Sequence, residues 1–249
     1  GEAIARAFAS RGASLLLTGR REEVLEPLAR ELGGIAVVAD LASRAGLRRI
    51  VEAARREPID VLVANAAMPA TGLLEDISRE QLDEIIDVNL RAPIALAKAL
   101  SPAMIERHAG HIVFIGSLSG KVAGPASSMY SATKFGLRGF ALGLREDLRP
   151  HGVGVSIVQP GFIREAGMFA NSGAKLPPGV GTRAPADVTS AVLQAVERER
   201  AEIDVAPLGI RLGAAIASVA PQLAAEVSRR LGSERLATAL DAGHRQQPR

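Results

Sequence analysis

Residues 35–67 read IAVVADLASRAGLRRIVEAARREPIDVLVANAA, and this stretch decides the fold of the chain. It begins with a short apolar run at 35–40, continues with amphipathic helical spacing at 44–58, and ends with a second apolar run at 59–67. Continuous apolar runs of this length are typical of strands buried on both faces, as in a parallel sheet. Since parallel strands joined by a helix form a βαβ unit, the stretch predicts a sheet with helices packed against it.

The same alternation continues on both sides of this unit. The predicted helices are 2–12, 21–34, 44–58, 78–110, 127–152 and 184–200, and the predicted strands are 13–19, 35–40, 59–67, 111–117, 153–161 and 201–207. We therefore expect an α/β fold, with a doubly wound, Rossmann-like parallel sheet and helices on both of its faces, in a single domain. Ligands of such a sheet lie at the carboxyl ends of its strands.

Composition excludes several classes of function. The 249 residues carry a formal net charge of +3, and acidic and basic residues are interspersed, so we expect no nucleic-acid partner. The absence of cysteine excludes disulfides and thiol catalysis. The four histidines show no metal-ligand spacing, and no apolar run reaches the ~18 residues of a membrane span. We expect a cytoplasmic protein without a metal site or a transmembrane segment.

The segment 127–136, SSMYSATKFG, contains the only tyrosine of the chain, Tyr130, and one of its four lysines, Lys134. The two residues are four apart in a predicted helix and therefore share one helix face. A neighbouring ammonium favours the phenolate, which suits a tyrosine to acid/base chemistry. The alternative interpretation is a chance pair on a solvated helix.

Ser117 favours the catalytic interpretation. It follows the predicted strand 111–117 directly, so its hydroxyl is expected at the carboxyl end of the sheet. The next predicted helix returns Tyr130 to the same edge. A turn-forming role is the simpler alternative for a serine at this position.

Together with NAA at 65–67, VNL at 88–90 and PGF at 160–162, these residues resemble the short-chain dehydrogenase/reductase family in order and spacing. The resemblance extends from Gly1 to about residue 206. It implies that Tyr130 is the general acid or base and that Lys134 lowers its pKa and holds the nicotinamide ribose. It also implies that Ser117 binds the substrate oxygen and that Asn89 completes a tetrad through a water molecule.

The resemblance further implies a nicotinamide cofactor. Gly1 corresponds to the last glycine of the family's glycine-rich loop, so the first strand and most of that loop are expected to lie outside the given sequence. Gly19 takes the position of the acidic residue of NAD-selective members and is followed by Arg20 and Arg21, which favours NADP over NAD. Arginines that merely open a charged helix are the alternative. The other expected cofactor contacts are Asp40, Leu41, Asn65, Ala66, Pro160, Gly161 and Ile163, in addition to Tyr130 and Lys134.

Two positions depart from the family pattern. Ala67 replaces the usual glycine of the NAA motif, and Glu165 stands where relatives commonly carry a threonine that binds the nicotinamide carboxamide. An ionised Glu165 cannot donate a hydrogen bond, so the backbone of Ile163 is left to bind that group.

Residues 164–185 correspond to the substrate-covering loop of the family, and their glycines and prolines predict a mobile flap. Apolar residues in this segment favour an apolar carbonyl or alcohol substrate. Residues 1–206 are expected to form the Rossmann-like domain, and residues 207–249 a helical extension or tail that covers the site mouth, joins an interface or lies on a membrane. The resemblance implies a homodimer or homotetramer formed through helices around 79–108 and 130–150. The flap residues are Gly167, Gly173, Pro177, Pro178, Gly179 and Gly181.

Three functions remain open on these patterns. The first is an NADP(H)-dependent oxidoreductase that transfers a hydride to or from a carbonyl or alcohol carbon. The second is a cofactor-independent lyase of similar fold, although such relatives carry arginine in place of Lys134. The third is a non-catalytic NADP(H)-binding sensor, which would have no need of the proton donor Tyr130.

Overall fold

The computed structural model describes residues 1–177, 180–230 and 233–245. Every paired strand in these ranges runs parallel to its neighbour. The strands are β1 (Leu16–Gly19), β2 (Ile35–Val38), β3 (Val61–Ala64), β4 (Gly110–Ile115), β5 (Val153–Pro160) and β6 (Glu202–Val205). The predicted α/β class with a parallel sheet is therefore confirmed.

The helices alternate with these strands as the sequence predicts. They are α1 (Glu2–Ala9), α2 (Glu22–Glu31), α3 (Arg44–Ala54), α4 (Arg79–Ile86), α5 (Ala92–Arg107), α6 (Ser128–Leu148), α7 (Met168–Ser172), α8 (Pro185–Glu197), α9 (Leu208–Val219), α10 (Pro221–Arg230) and α11 (Ser233–Arg245). The segment 78–110, whose pattern fits one long helix or two joined helices, forms two, and a π-helical turn at Asp87–Arg91 joins α4 to α5. Within the described ranges, no helix is both long enough and apolar enough to cross a bilayer.

Backbone hydrogen bonds divide the parallel strands into two groups. β1 pairs with β2, and the second sheet has the order β3-β4-β5-β6. The two sheets share no strand pairing, but Leu16 of β1 and Leu62 of β3 pack against the same apolar cluster around Val37 and Ile50. Side-chain packing therefore joins β1 to β3 where backbone hydrogen bonds do not.

Helices cover both faces of the four-stranded sheet, which explains why its central strands are largely apolar. Ile112 and Phe114 of β4 pack toward Leu137 of α6 on one face. Val113 of the same strand packs toward Val192 of α8 on the other face. Because successive strand residues point to opposite faces, the central strands are apolar at most positions, and the buried polar residues Ser156 and Gln159 of β5 form hydrogen bonds. Full burial of one such side chain contributes about 1.5–3 kcal/mol.

The last helix lies against the segment that the sequence predicts as a flap. α11 packs on α7, and His244 of α11 contacts both Thr71 Oγ1 at 2.9 Å and the carbonyl oxygen of Met168 at 3.1 Å. α9 carries a stripe of exposed apolar side chains, Leu208, Leu212, Ile216 and Val219. The predicted flap residues Pro178 and Gly179 lie outside the described residues, as do 231–232 and 246–249 of the predicted tail.

Candidate active site

A cleft of about 690 Å³ opens at the carboxyl ends of the strands. Residues that follow β1 and β2 line one side of it, and residues that follow β4 and β5 line the other. Ser117, Tyr130 and Lys134 all line this cleft, so the structure brings together the three residues that carried the catalytic interpretation. Parallel strands place such groups on a common edge because all of their carboxyl ends point the same way.

Ser117 is held by its backbone and side chain immediately beyond β4. Its N–H donates to Oε1 of Gln159 at 2.7 Å, and its Oγ accepts a hydrogen bond from the N–H of Ser119 at 3.1 Å. A hydroxyl oxygen has two lone pairs and carries one proton. Because the Ser119 amide uses only a lone pair, the hydroxyl proton of Ser117 is left for the hydrogen bond with Tyr130.

Lys134 is buried beside Tyr130 on α6. Its side chain is 2% exposed, and Nζ donates to the carbonyl oxygen of Ile115 at 3.1 Å. The same Nζ lies 5.7 Å from the centroid of the Tyr130 ring. Burial lowers the pKa of Lys134 from 10.5 to about 8, because removal from water disfavours the charged ammonium.

The pKa of Tyr130 is raised, whereas the family resemblance implies that it is lowered. Burial raises the pKa of the phenol, and a hydrogen bond with Ser117 opposes this rise without reversing it. The lowered pKa that the family resemblance implied is therefore not found in this arrangement. The physical reason is that desolvation of the ring outweighs any charge that reaches it, so the structure holds Tyr130 as a protonated phenol.

Asn89 is buried, but it does not line the cleft. It lies in the π-helical turn, where its Oδ1 accepts a hydrogen bond from the N–H of Met68 at 2.8 Å and its Nδ2 donates to the carbonyl of Met68 at 3.0 Å. These two bonds tie the segment that follows β3 to the helix. Its expected part in a water-linked tetrad stays a prediction.

Most of the expected cofactor residues line the same cleft as the catalytic group. They are Gly1, Arg20, Asp40, Leu41, Asn65, Ala66, Pro160, Gly161 and Ile163. A Cβ atom at Gly1 would lie 3.0 Å from Nδ2 of Asn65, so glycine leaves the entrance of α1 open. Arg21 is the exception, because it begins α2 from an exposed position outside the cleft lining.

Arg20 lies within reach of a carboxylate. Its Nη1 is 3.6 Å from Oε1 of Glu84, and both side chains are partly exposed. An exposed pair of this kind contributes at most about 1 kcal/mol, so an anionic ligand can compete for the guanidinium. Arg20 is thus a cation at the rim of the cleft that is weakly engaged by the protein itself.

In the segment after β5, the backbone N–H and carbonyl of Ile163 take no part in the hydrogen bonds of the local strand pairing. Ile163 forms an isolated bridge with Arg183, and the two hydrogen bonds of that bridge use the carbonyl of Phe162 and the N–H of Arg164. These bonds therefore do not involve the N–H or carbonyl of Ile163, which lines the cleft. A backbone donor and acceptor at this position could hold a carboxamide.

Glu165 lies outside the cleft lining, and its backbone explains why threonine is a poor substitute here. Its φ angle is +74°, and its exposed carboxylate accepts a hydrogen bond from Nε of Arg164 at 2.8 Å. A β-branched residue is strained at such an angle. Glu165 therefore offers no hydroxyl to the cleft.

The sequence analysis missed several residues of the site. Gln159 accepts a hydrogen bond from the backbone N–H of Ser117. The only sequence feature that marks it is its polar side chain within the otherwise apolar end of VSIVQPG. Thr18 similarly ends an apolar strand. Other lining residues that were not predicted include the small or apolar Met68, Val88, Ile115, Gly116 and Val188, whereas Met168 and Phe169 were expected to present apolar surface to a substrate.

Comparisons with known proteins agree with this geometry. The family model described as short chain dehydrogenase matches residues 1–177. The ketoacyl reductase HetN of Nostoc sp. is 33% identical over 209 residues, which cover 81% of this chain and 73% of that protein. An NADP-dependent 3-hydroxy acid dehydrogenase of Salmonella typhi is 38% identical over 169 residues, which cover 66% of this chain and 68% of that protein.

Solved structures give the same answer at the level of the fold. A short-chain dehydrogenase from Sphingobium yanoikuyae in complex with NADPH superimposes with a TM-score of 0.76 and 28% identity, over 90% of each chain. The family resemblance read from the motifs around Ser117 and Tyr130 is thereby confirmed: the chain belongs to the short-chain dehydrogenase/reductase family of oxidoreductases.

Proposed function

We propose that the protein is an NADP(H)-dependent oxidoreductase that reduces a carbonyl to an alcohol, with Tyr130 as the general acid. The observation that supports this most is the convergence of Ser117, Tyr130 and Lys134 on one cleft that also contains Arg20. A proton donor, a hydrogen-bond donor and a buried cation are what protonation of a carbonyl oxygen requires. When bound, the cofactor supplies a hydride to the carbonyl carbon.

Tyr130 supplies the proton. Because burial raises its pKa, the phenol keeps its proton at neutral pH and is ready to donate it to the substrate oxygen. The phenolate left behind is stabilised by the ammonium of Lys134, which the carbonyl of Ile115 holds in place. The raised pKa favours the reductive direction near neutral pH, since the opposite direction needs the phenolate at the start.

Ser117 stabilises the charge that develops on the substrate oxygen. Its Oγ accepts from the N–H of Ser119, and its hydroxyl proton, which is bonded to Tyr130 here, would be donated to a substrate oxygen that binds between the two side chains. A donor that is held in place before the reaction needs no reorganisation as the charge grows. Ser117 and Tyr130 together would bind one oxygen atom from two sides.

The residues of the cleft fit a dinucleotide with a 2′-phosphate. Gly1 leaves space at the start of α1, and the peptide of Ile163 offers a donor and an acceptor to the carboxamide. Arg20 offers a guanidinium, and Gly19 beside it places no carboxylate against the phosphate. The Salmonella typhi relative is named as NADP-dependent, and the Sphingobium yanoikuyae structure contains NADPH, which supports the same choice.

The substrate is expected to be a small apolar ketone or aldehyde. Met168 and Phe169 of α7 line the cleft together with Met68, and the ring of Phe169 packs 5.1 Å from that of Phe162. Such a wall favours apolar groups on either side of the carbonyl. We further infer a homodimer or homotetramer through α4, α5 and α6, on which Phe135 is exposed.

A panel of ketones and aldehydes, followed by the absorbance of NADPH, tests the proposed function. We expect turnover of at least one apolar carbonyl with NADPH and much slower turnover with NADH. A chain that binds NADPH but reduces no member of a broad panel would contradict the enzymatic assignment. Equal rates with both cofactors would contradict the preference for NADP.

A further inference from the structure

A fully buried amide lies directly beneath Ser117. Gln159, next to the last residue of β5, has no exposed surface. Its Oε1 accepts the hydrogen bond from the N–H of Ser117 at 2.7 Å, and its Nε2 donates to Oε1 of Glu202 at 2.9 Å. Both ends of the amide are therefore engaged, one with the candidate active site and the other with β6.

Two glycines leave room for this amide. A Cβ atom at Gly116 would lie 2.2 Å from Oε1 of Gln159 and could not be accommodated. A Cβ atom at Gly120 would lie 2.7 Å from the carbonyl oxygen of Lys134 and 3.6 Å from Nε2 of Gln159. The turn that carries Ser117 thus passes close over Gln159, because Gly116 and Gly120 lack side chains at the two points nearest to the amide.

Glu202 determines which way the amide points. Burial would raise the pKa of Glu202, but hydrogen bonds from Arg138 and Gln159 and the charges of Lys121 and Arg138 outweigh burial and lower it to about 2. An ionised carboxylate only accepts hydrogen bonds, so it requires the NH₂ end of Gln159. The oxygen end is then turned toward the N–H of Ser117.

Two cationic side chains hold Glu202 itself. Arg138 donates from Nε to Oε1 at 2.7 Å and from Nη2 to Oε2 at 3.1 Å. Nζ of Lys121 lies 3.2 Å from Oε2 of Glu202 and 2.6 Å from Oδ1 of Asp204. Arg138 and Lys121 therefore hold the carboxylate that accepts from Gln159, and the chain of contacts runs from α6 and β6 to the backbone of Ser117.

We propose that Gln159, oriented by Glu202, is a positioning residue that fixes the backbone of Ser117 so that its hydroxyl faces the substrate oxygen. This inference rests on the proposed function, because it assigns to Ser117 the role given there. A hydrogen bond that must be aimed at the transition state loses its effect when its donor moves by a fraction of an ångström. We therefore expect a change at Gln159 to lower kcat, although Gln159 itself contacts neither substrate nor cofactor.

Gln159→Met tests the bond while keeping the length of the side chain. We expect kcat to fall about tenfold, the effect of one misplaced hydrogen bond, with KM changed less than about threefold. Gln194→Met is the matched control, since Gln194 is exposed on α8 and bonds only its neighbour Ser190. A kcat of Gln159→Met equal to that of the control would overturn the proposal.

Exchanging the amide of Gln159 with the carboxylate of Glu202 separates the loss of the hydrogen bond from poor folding of a single variant. Gln159→Glu places a second carboxylate against Glu202, so one of them must hold a proton, and kcat is expected to fall as rising pH removes it. The double variant Gln159→Glu with Glu202→Gln reverses the donor and acceptor and keeps the net charge. We expect it to regain kcat to within about threefold and the pH profile of the parent. A double variant no faster than Gln159→Glu would contradict the proposal.

Hydrogen exchange of the Ser117 amide, followed by NMR, gives a readout without turnover. Gln159→Met should exchange this amide at least about tenfold faster, while Gln194→Met should not change it. A parent chain that reduces no carbonyl would defeat the proposed function, and the amide exchange would still decide whether Gln159 holds Ser117. Unchanged exchange in Gln159→Met would reject the positioning role even if the parent is an active reductase.

Discussion

Nζ of Lys134 lies 5.7 Å from the ring centroid of Tyr130 and is held there by the carbonyl of Ile115. The ammonium of Lys134 is therefore buried beside the Tyr130 ring. The two residues are not a chance pair on a solvated helix face. Burial moves the pKa values of the two groups apart, since it raises that of Tyr130 from 10.0 and lowers that of Lys134 from 10.5 to about 8. At neutral pH Tyr130 is therefore a phenol that can donate a proton, and Lys134 is a cation that can stabilise the phenolate left behind.

Tyr130→Phe removes the proton donor and keeps the ring. We expect kcat to fall about a thousandfold, within the range of general acid catalysis, while the Kd for NADPH changes less than about threefold. Cofactor fluorescence titration and NADPH absorbance measure the two quantities. Ser128→Ala, which removes an exposed hydroxyl from the same helix, should leave both unchanged. Retention of normal turnover in Tyr130→Phe would remove this residue from the mechanism.

Lys134→Met should inactivate the enzyme and stabilise the fold. A pKa lowered from 10.5 to about 8 corresponds to roughly 3 kcal/mol of destabilisation at pH 7, partly offset by about 1 kcal/mol from the bond to Ile115. The net gain should raise Tm by about 4 °C in a chain of this size. Lys98→Met, at an exposed position, is the control, and a lower Tm for Lys134→Met would contradict the expectation.

The same shift predicts how the stability of the parent changes above pH 8. Between about pH 8 and pH 10.5 the unfolded chain keeps the Lys134 proton, whereas the folded chain has released it. The contribution of Lys134 therefore makes the free energy of unfolding rise with pH across this window. Thermal unfolding at several pH values should show this contribution in the parent and its loss in Lys134→Met.

Arg20→Ala should weaken the binding of NADPH about tenfold or more and leave that of NADH unchanged, because only NADPH carries the 2′-phosphate. Arg21→Ala is the matched control, since Arg21 lies outside the cleft lining. Glu84→Gln should tighten NADPH binding, because it removes the carboxylate 3.6 Å from Arg20. Equal losses for both cofactors in Arg20→Ala would reject the phosphate contact.

His111 makes the fold sensitive to acid. It is buried at the start of β4, where Nε2 lies 2.8 Å from Oγ of Ser156, and burial lowers its pKa from 6.5 to about 4. Below about pH 6.5 the unfolded chain binds a proton that the folded chain excludes. Stability should therefore decline by roughly 2–3 kcal/mol as pH falls from about 6.5 to 4.

Denaturant unfolding across this range checks the contribution of His111. His111→Asn should flatten the decline, while His108→Asn, at an exposed position, should reproduce the parent. A parent and a His111→Asn variant with equal slopes would show that the acid sensitivity arises elsewhere.

The sequence by itself determined where the helices and strands lie along the chain and that Ser117, Tyr130 and Lys134 meet at one edge of the sheet. Apolar runs that are continuous rather than alternating can only be strands covered on both faces, and they end at one edge of a parallel sheet. Spacing of four in a helix places Tyr130 and Lys134 on one face, and the end of β4 places Ser117 beside them. These are local rules, and they hold wherever the segment is packed.

Tertiary structure alone decided the contacts between distant segments. Gln159 and Glu202 meet because β5 pairs with β6 in one register, and Arg20 meets Glu84 because α4 packs near the end of β1. The direction of the pKa shift of Tyr130 likewise depends on burial, which no spacing rule contains. Desolvation and long-range pairing are properties of the packed molecule, since both arise only when remote parts of the chain exclude water together.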